Sequence, residues 1–129
     1  MTFGFVDTSC FVAVAFGEPG SDALVARLEG IEQLFASNLL EAELRAALRR
    51  EGVGYDKALL AGIAWVLPDR PLTGEISAVL EAGPLRGADA WHLACALYLA
   101  PTRDELEFLT LDTRQAAVAT ALGFSGRGS

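Results

Sequence analysis

Residues 3–16 read FGFVDTSCFVAVAF, and this stretch decides the fold. Phe3 to Val6 predicts a short strand, and the apolar run from Cys10 to Phe16 predicts a helix soon after it. Gly17-Glu18-Pro19-Gly20 then ends that helix. A strand that leads into a helix, with no hairpin turn between them, is typical of a parallel sheet.

The same alternation continues along the chain, with further strands predicted at residues 33–36, 64–67 and 107–111. Helices are predicted at residues 21–28, 38–50, 55–63, 73–82, 88–99 and 113–122, with Ser21 capping the first of these and Asn38 the second. Phe124 starts a candidate fifth strand at the sheet edge. This order predicts an α/β/α sandwich around a central parallel sheet of four to five strands. We place the domain at residues 1–124 and a flexible tail at residues 125–129.

The composition limits the classes of protein to which the chain can belong. Its 129 residues suit one domain, and 52% hydrophobic residues can form a core without disulfides. Cys10 and Cys95 both lie in apolar runs, so we expect two buried free thiols and a reducing, cytoplasmic location. The N-terminal charge pattern and the short apolar runs predict neither a signal peptide nor a membrane partner. A net charge of −7 argues against a broad basic surface for nucleic acid.

Two acidic residues follow predicted strands. Asp7 ends the first strand, and Asp112 ends the strand at residues 107–111. In an open parallel sheet, ligands bind beyond the carboxyl ends of the strands. We therefore expect Asp7 and Asp112 to lie at one edge of the sheet and to form part of a ligand site.

Glu43 is a third candidate because of its neighbours on the predicted helix. Residues three and four positions apart share a helix face, and those of Glu43 include Leu39 and Leu40. Glu41, by contrast, has capping-box spacing and a cationic partner at Arg45. A carboxylate on a core-facing stripe costs free energy unless something compensates it, and a bound cation would do so.

Asp89 is the fourth candidate, in the first turn of the helix predicted at residues 88–99. It is the one acid of the four for which we find an ordinary structural explanation, a favourable interaction with the helix dipole. The residues that follow are almost wholly apolar, so this helix is expected to be buried. Four converging carboxylates raise one another's pKa values, and a divalent cation relieves the repulsion. An all-oxygen site favours Mg²⁺, with Mn²⁺ able to substitute.

These motifs and their order resemble the PIN-domain family, most closely its VapC-type toxin branch. The resemblance covers essentially the whole chain. Its most specific parts are the Asp-Ala-x-His-Leu-Ala segment that starts at Asp89 and the Thr-x-Asp strand end that starts at Thr110. The other matching segments are Val6-Asp7-Thr8-Ser9, Glu43-Leu44-Arg45-Ala46-Ala47-Leu48 and Ala119-Thr120-Ala121-Leu122-Gly123. Gly87-Ala88 departs from the family, where a bulkier residue often stands.

The resemblance implies a PIN-like α/β/α sandwich and a Mg²⁺-dependent endoribonuclease that is the toxin of a toxin–antitoxin pair. The partners it implies are RNA, a second copy of the chain in a homodimer, and a cognate antitoxin. The catalytic and metal-binding quartet of the family corresponds to Asp7, Glu43, Asp89 and Asp112. The alternative is a non-catalytic PIN-like module that binds RNA or protein without cutting.

Further residues are candidates for supporting roles. Ser9, at the family's small hydroxylated position, and Thr110 are expected to hold the acids by hydrogen bonds; Thr110 could equally be an ordinary strand residue. Arg86 is the main candidate for RNA phosphate contacts, because its loop leads directly to Asp89. Arg45 and Arg49 are further candidates, with a salt bridge or a solvated helix position as the alternative for both. His92 is expected to be a satisfied core histidine rather than a catalyst.

Three other classes of phosphate chemistry lack their required residues. A phosphoacceptor receiver domain needs a second acid beside Asp7 and a lysine after a late strand, whereas Lys57 is the one lysine. A haloacid-dehalogenase-like phosphatase needs Asp-x-Asp where this chain has Asp7-Thr8-Ser9. The absence of a Gly-rich phosphate loop excludes nucleoside triphosphate hydrolysis.

Overall fold

The computed structural model describes residues 2–100 and 105–125. Its strands are β1 (Phe3–Val6), β2 (Gln33–Ser37), β3 (Ile63–Val66) and β4 (Leu106–Leu109). They form one all-parallel sheet in the order β3-β2-β1-β4. β1 and β4 therefore lie side by side although about a hundred residues separate them, and their carboxyl ends meet at one edge.

In the described part of the chain, six helices flank this sheet: α1 (Thr8–Ala15), α2 (Ser21–Glu29), α3 (Leu39–Arg50), α4 (Thr73–Ala82), α5 (Gly87–Leu99) and α6 (Thr113–Ala121). Each of them lies where the sequence predicts a helix. α1 begins two residues earlier than the apolar run suggested, because the Asp7 side chain caps it at Thr8.

The sheet is buried on both faces, as expected when helices cover a parallel sheet. Successive side chains of a strand point to opposite faces, and Phe5 and Val6 enter two different core clusters. Phe5 stacks on Phe108, with ring centroids 5.8 Å apart, in the cluster under α4, α5 and α6. Val6 packs with residues of α1, α2 and α3 in the other cluster. The predicted α/β/α sandwich is confirmed.

The predicted helix at residues 55–63 is wrong. Only Lys57–Leu60 is helical, as a 3-10 turn, and the Asp56 side chain starts it by accepting from Ala58 N at 3.0 Å. β3 begins at Ile63, so the chain reaches the sheet before a longer helix can form.

One of the two predicted helix caps is wrong, whereas Asn38 is the N-cap of α3, as predicted, but lacks the predicted side-chain hydrogen bond. The N-cap of α2 is Gly20, whose positive φ of 87° suits glycine, and Ser21 lies inside the helix. Asn38 precedes α3 with a helical backbone conformation, and its side chain makes no capping hydrogen bond. β2 therefore passes directly into α3 without the capping box that the sequence predicts.

The C-terminal segment adds one contact to the sheet edge. Phe124 is buried, with its ring centroid 6.0 Å from that of Phe108. Ser125 forms a single parallel bridge with Glu107, so the predicted fifth strand is reduced to one bridge. Residues 126–129 of the predicted tail lie outside the described part.

The two cysteines behave as the sequence predicts. Cys10 and Cys95 are free and fully buried, one in each core cluster. Burial raises the pKa of each thiol to about 12. Within residues 2–100 and 105–125, every helix is too short or too polar to cross a membrane.

Candidate active site

Asp7 and Asp112 lie together at the carboxyl edge of the sheet, as expected from their positions after strands. The Asp7 amide donates to Leu109 O at 2.9 Å, which joins the end of β1 to the end of β4. Asp112 lies three residues beyond β4, because the strand ends at Leu109 rather than at residue 111. Both acids therefore lie beyond the carboxyl ends of the strands, which is where ligands bind in an open parallel sheet.

Both acids also cap helices, and this is an ordinary structural role of the kind that the sequence indicated for Asp89 alone. Asp7 Oδ2 accepts from Ser9 N at 3.1 Å at the start of α1. Asp112 Oδ1 accepts from Gln115 N at 2.9 Å at the start of α6. The view of Asp89 as the one acid with a structural explanation is therefore wrong, and each capping acid keeps one oxygen outside its cap.

Thr110 links the two strand-end acids. Its hydroxyl lies 3.2 Å from Asp7 Oδ2, and it accepts from Asp112 N at 3.1 Å. Ser9 supports the same loop, because its hydroxyl accepts from Leu111 N at 3.0 Å and lies 3.3 Å from Thr110 Oγ1. Ser9 and Thr110 thus hold the loop before Asp112, beside Asp7, through hydrogen bonds between neutral groups.

Gln115 belongs to this network and was missed in the sequence. It is fully buried, and its Oε1 accepts from Thr110 Oγ1 at 2.7 Å. Its Nε2 donates to the backbone carbonyl of Asp89 at 3.1 Å, which ties α6 to the first turn of α5. A signal was available, since Gln115 shares a helix face with Val118 and Ala119.

Glu43 lies beside the apolar stripe of α3, not within it. The buried positions of this helix are Leu40, Leu44 and Leu48, and the Glu43 side chain is 34% exposed. Glu43 Oε1 accepts from Thr8 Oγ1 at 2.7 Å. The predicted position of Glu43 within the apolar stripe is therefore wrong, and protein donors already provide compensation of the kind that the sequence argument sought from a bound cation.

His92 is the other donor to Glu43. Its Nε2 lies 2.8 Å from Glu43 Oε1 and 3.7 Å from Asp7 Oδ1, and its Nδ1 lies 3.0 Å from Ser37 Oγ. The ring is fully buried, which confirms the expected satisfied core histidine. The hydrogen bond from His92 is the main cause that lowers the pKa of Glu43, with Thr8 adding to it. Glu43 is thereby held as a carboxylate.

The pKa of Asp89 reflects its interaction with the other three acids. Burial in the first turn of α5 is the main cause that raises its pKa. The negative charges of Asp7 and Asp112 raise it further, with a smaller contribution from Glu43, while His92 lowers it. All four predicted acids therefore share one electrostatic environment.

One cleft of about 430 Å³ brings the four acids together. Its lining residues are Asp7, Thr8, Ser9, Val12, Glu18, Glu43, Asp89, Leu111 and Asp112. Glu18, a fifth acid, was not predicted; it lies in the Gly-Pro turn after α1, where the sequence carries no helix or strand signal. The donors are all oxygen, which suits a hard cation such as Mg²⁺. In the described part of the chain, no three acidic, histidine or cysteine side chains are already arranged to hold an ion.

The predicted RNA-contacting arginines lie in different settings. Arg86 is exposed immediately before α5 and lines a neighbouring cleft together with Asp89 and Asp112. Arg49 is exposed on α3. Arg45 pairs with Glu41 at 2.9 Å, the i+4 partner that the sequence predicted. Its guanidinium also lies 4.7 Å from the ring centroid of Tyr55.

The fold and the cleft define an α/β/α protein with an acidic site at the carboxyl edge of a parallel sheet. The sequence model of the PIN domain matches residues 4–121, and the chain belongs to the PIN-domain family. PIN domains are in general nuclease modules that use divalent metal ions, and the family suggests RNA as the ligand. No curated protein matches the chain by sequence.

Proposed function

We propose that this protein is a Mg²⁺-dependent endoribonuclease and the toxin of a toxin–antitoxin pair. The observation that carries the proposal is the single cleft lined by Asp7, Glu43, Asp89 and Asp112. Burial and neighbouring negative charge raise the pKa of Asp89, and a bound divalent cation would remove this unfavourable interaction. A PIN domain over residues 4–121 supports phosphodiester hydrolysis as the reaction class.

Each acid has a role in this proposal. Asp7 and Asp89 would ligate the cation, which Mn²⁺ could replace. Glu43 and Asp112 would ligate it directly, ligate it through water, or orient the attacking water. A bound Mg²⁺ supplies a water of lowered pKa and neutralises charge on the leaving oxygen.

Neighbouring side chains would keep the acids in place. Ser9 holds Asp7 through its backbone amide, Thr110 accepts from the backbone amide of Asp112, and His92 holds Glu43 through its Nε2 atom. Such hydrogen bonds hold the metal-binding side chains in the orientation that they need to ligate a cation. Arg86 would contact RNA phosphate beside the cleft, and Arg45 would do so outside it, on α3.

The partners follow from the resemblance to the toxin branch. We propose a homodimer that a cognate antitoxin inhibits, acting on RNA in the cytoplasm. Two buried free thiols with a pKa of about 12 fit a reducing compartment.

The test is RNA cleavage by purified, antitoxin-free protein in Mg²⁺ or Mn²⁺. Asp7→Asn and Asp89→Asn should abolish cleavage and retain the circular dichroism spectrum. Glu41→Gln is the matched control, because Glu41 is an acid of α3 outside the cleft and should be dispensable. Cleavage that persists in either Asn variant, or in excess EDTA, would contradict the mechanism.

A non-catalytic module that binds RNA or protein is the second candidate. The observation in its favour is that no three candidate metal ligands among the described residues are pre-arranged around one point. RNA binding without cleavage, and no change in melting temperature with Mg²⁺ or Mn²⁺, would establish this function instead.

A further inference from the structure

A second cleft of about 490 Å³ opens beside the acidic one. The two clefts share Asp89, Leu111 and Asp112. The second cleft differs from the first in carrying positive charge, from Arg86 and Arg114. A chain that lies in one cleft would therefore pass directly into the other.

The charges of these two arginines are not used within the protein. Three other basic residues of the described chain form ion pairs: Arg27 with Glu107, Arg45 with Glu41, and Arg70 with Glu75. Arg86 and Arg114 are exposed, and neither forms an ion pair or side-chain hydrogen bond with any residue in the described ranges.

The acids of the shared edge leave these arginines unpaired. Both guanidinium groups thus remain available to an external anion, although they line a cleft with two carboxylates.

The fold fixes the backbone on both sides of this second cleft. Arg86 is the residue from which α5 starts, and Arg114 is the second residue of α6. The buried Gln115 side chain joins these two helix starts by donating to Asp89 O at 3.1 Å. The arginines are therefore attached to a common rigid base, and their side chains are free to reach a ligand.

We propose that Arg86 and Arg114 form a binding site for an RNA phosphate adjacent to the phosphate held at the acidic cleft. This inference rests on the proposed function and adds the path that the RNA chain takes, from the acidic cleft into the second cleft. Acidic side chains and a net charge of −7 repel a polyanion, so attraction must come from local cations. Two arginines suit this role, because each planar guanidinium can donate two parallel hydrogen bonds to phosphate.

The test is the salt dependence of RNA binding. A fluorescent single-stranded RNA is titrated with the full-length Asp7→Asn variant, and anisotropy gives the affinity at several salt concentrations. Each phosphate contact to single-stranded nucleic acid contributes a slope of about 0.7 in a plot of log affinity against log salt. Arg86→Gln and Arg114→Gln should each reduce the slope by about 0.7, and the double variant by about 1.4.

Arg50→Gln/Lys57→Gln is the matched control, since it removes the same charge from exposed positions that line neither of these two clefts. We expect its slope to match that of the parent. An unchanged slope in the Arg86/Arg114 double variant, an equal decrease in the control, or no RNA binding at any salt concentration would overturn the inference.

Cleavage by the wild-type protein separates this inference from the proposed function. Cleavage combined with an unchanged slope in the double variant overturns the phosphate site and leaves the nuclease intact. A slope decrease specific to the double variant, without cleavage in Mg²⁺ or Mn²⁺, supports the phosphate site and overturns the nuclease.

Discussion

His92 Nε2 lies 2.8 Å from Glu43 Oε1, which connects the buried core of α5 to a carboxylate of the acidic cleft. Glu43 is held as a carboxylate and can only accept, so Nε2 carries the proton of this hydrogen bond. In a neutral ring, Nδ1 then accepts from the Ser37 hydroxyl at 3.0 Å. Glu43 thereby selects the tautomer, and the Ser37 hydroxyl, which can donate or accept, satisfies the other ring nitrogen.

This relationship predicts that His92→Gln and His92→Asn differ. A glutamine places its amide nitrogen near the position of Nε2 and can still donate to Glu43. An asparagine reaches only the position of Nδ1, so Glu43 loses its strongest donor. We expect cleavage to fall about 10- to 100-fold in His92→Asn and substantially less in His92→Gln.

The measurement is kcat for a short RNA, with the free energy of unfolding determined for both variants. Both substitutions place an uncharged amide in the same buried space, so they control for each other. Equal rates, or a slower Gln variant of equal stability, would show that the Nε2 hydrogen bond does not position Glu43.

Because Asp112 caps α6, two substitutions can separate its contribution to stability from its proposed role in cleavage. Asp112→Asn keeps a side-chain oxygen that can accept from Gln115 N, whereas Asp112→Ala does not. We expect both variants to lose cleavage, and only Asp112→Ala to lose about 1 kcal/mol of stability. Urea unfolding measures the difference, and equal stability of the two variants would exclude the cap as a source of stability.

Most of the fold could be predicted from the pattern of apolar residues in the sequence. β1 and the helices flanking the sheet follow from alternating apolar runs and breakers, and the parallel sheet follows from the lack of hairpins. The helix predicted at residues 55–63 failed because periodicity cannot show that Ile63 already belongs to β3. Strand order was equally inaccessible, since it depends on packing between distant segments.

The four acids could be predicted, and the groups that hold them largely could not. Strand ends identified Asp7 and Asp112, while Glu43 was selected by an argument that the structure contradicts. Its partners Thr8 and His92 are distant in sequence from α3. Pairings of this kind arise only when three helices meet at one sheet edge, so no local pattern reports them.

Because the pKa of Asp89 is raised, Asp89→Asn should increase the stability of the folded protein by an amount that depends on pH. The folded protein disfavours the charged form, so wild-type stability falls as pH rises through the pKa of this group. In EDTA at pH 7, Asp89→Asn should therefore be more stable than wild type. The difference should shrink on acidification and reach its minimum below the ordinary aspartate pKa of about 3.9.

Melting temperature measured from pH 3 to pH 8 checks this expectation, and Asp69→Asn is a control acid outside both acidic-edge clefts. A difference between Asp89→Asn and wild type that does not vary with pH would contradict it.

A divalent cation should reverse this order of stability, so that wild type becomes more stable than Asp89→Asn. At Mg²⁺ concentrations about 100-fold above the dissociation constant, a single site stabilises the folded state by about 2.7 kcal/mol. Wild type should gain this amount, and Asp89→Asn should gain much less because it lacks one proposed ligand. Differential scanning calorimetry with Mg²⁺, and with Na⁺ at matched ionic strength, separates specific binding from screening. Equal gains in the two proteins would exclude Asp89 as a ligand.

The two thiols should be unreactive in the folded protein. Cys10 and Cys95 are fully buried, and burial raises the pKa of both to about 12. The thiolate is the reactive form, so at pH 8 we expect neither residue to react with a disulfide reagent on the timescale of minutes. Both should react at once in denaturant, as measured by the released chromophore. Rapid reaction of one thiol under native conditions would reveal local opening of its core cluster.

The neutral hydrogen bonds through Thr110 and Gln115 have an evolutionary consequence. Asparagine can replace aspartate at both strand-end helix caps, and the links from Thr110 and Gln115 do not require a charged partner. A lineage could therefore exchange the acids one at a time while the cleft kept its shape. Under the proposed function, loss of cleavage would carry little penalty in folding, so selection on activity, rather than on stability, would maintain the carboxylates.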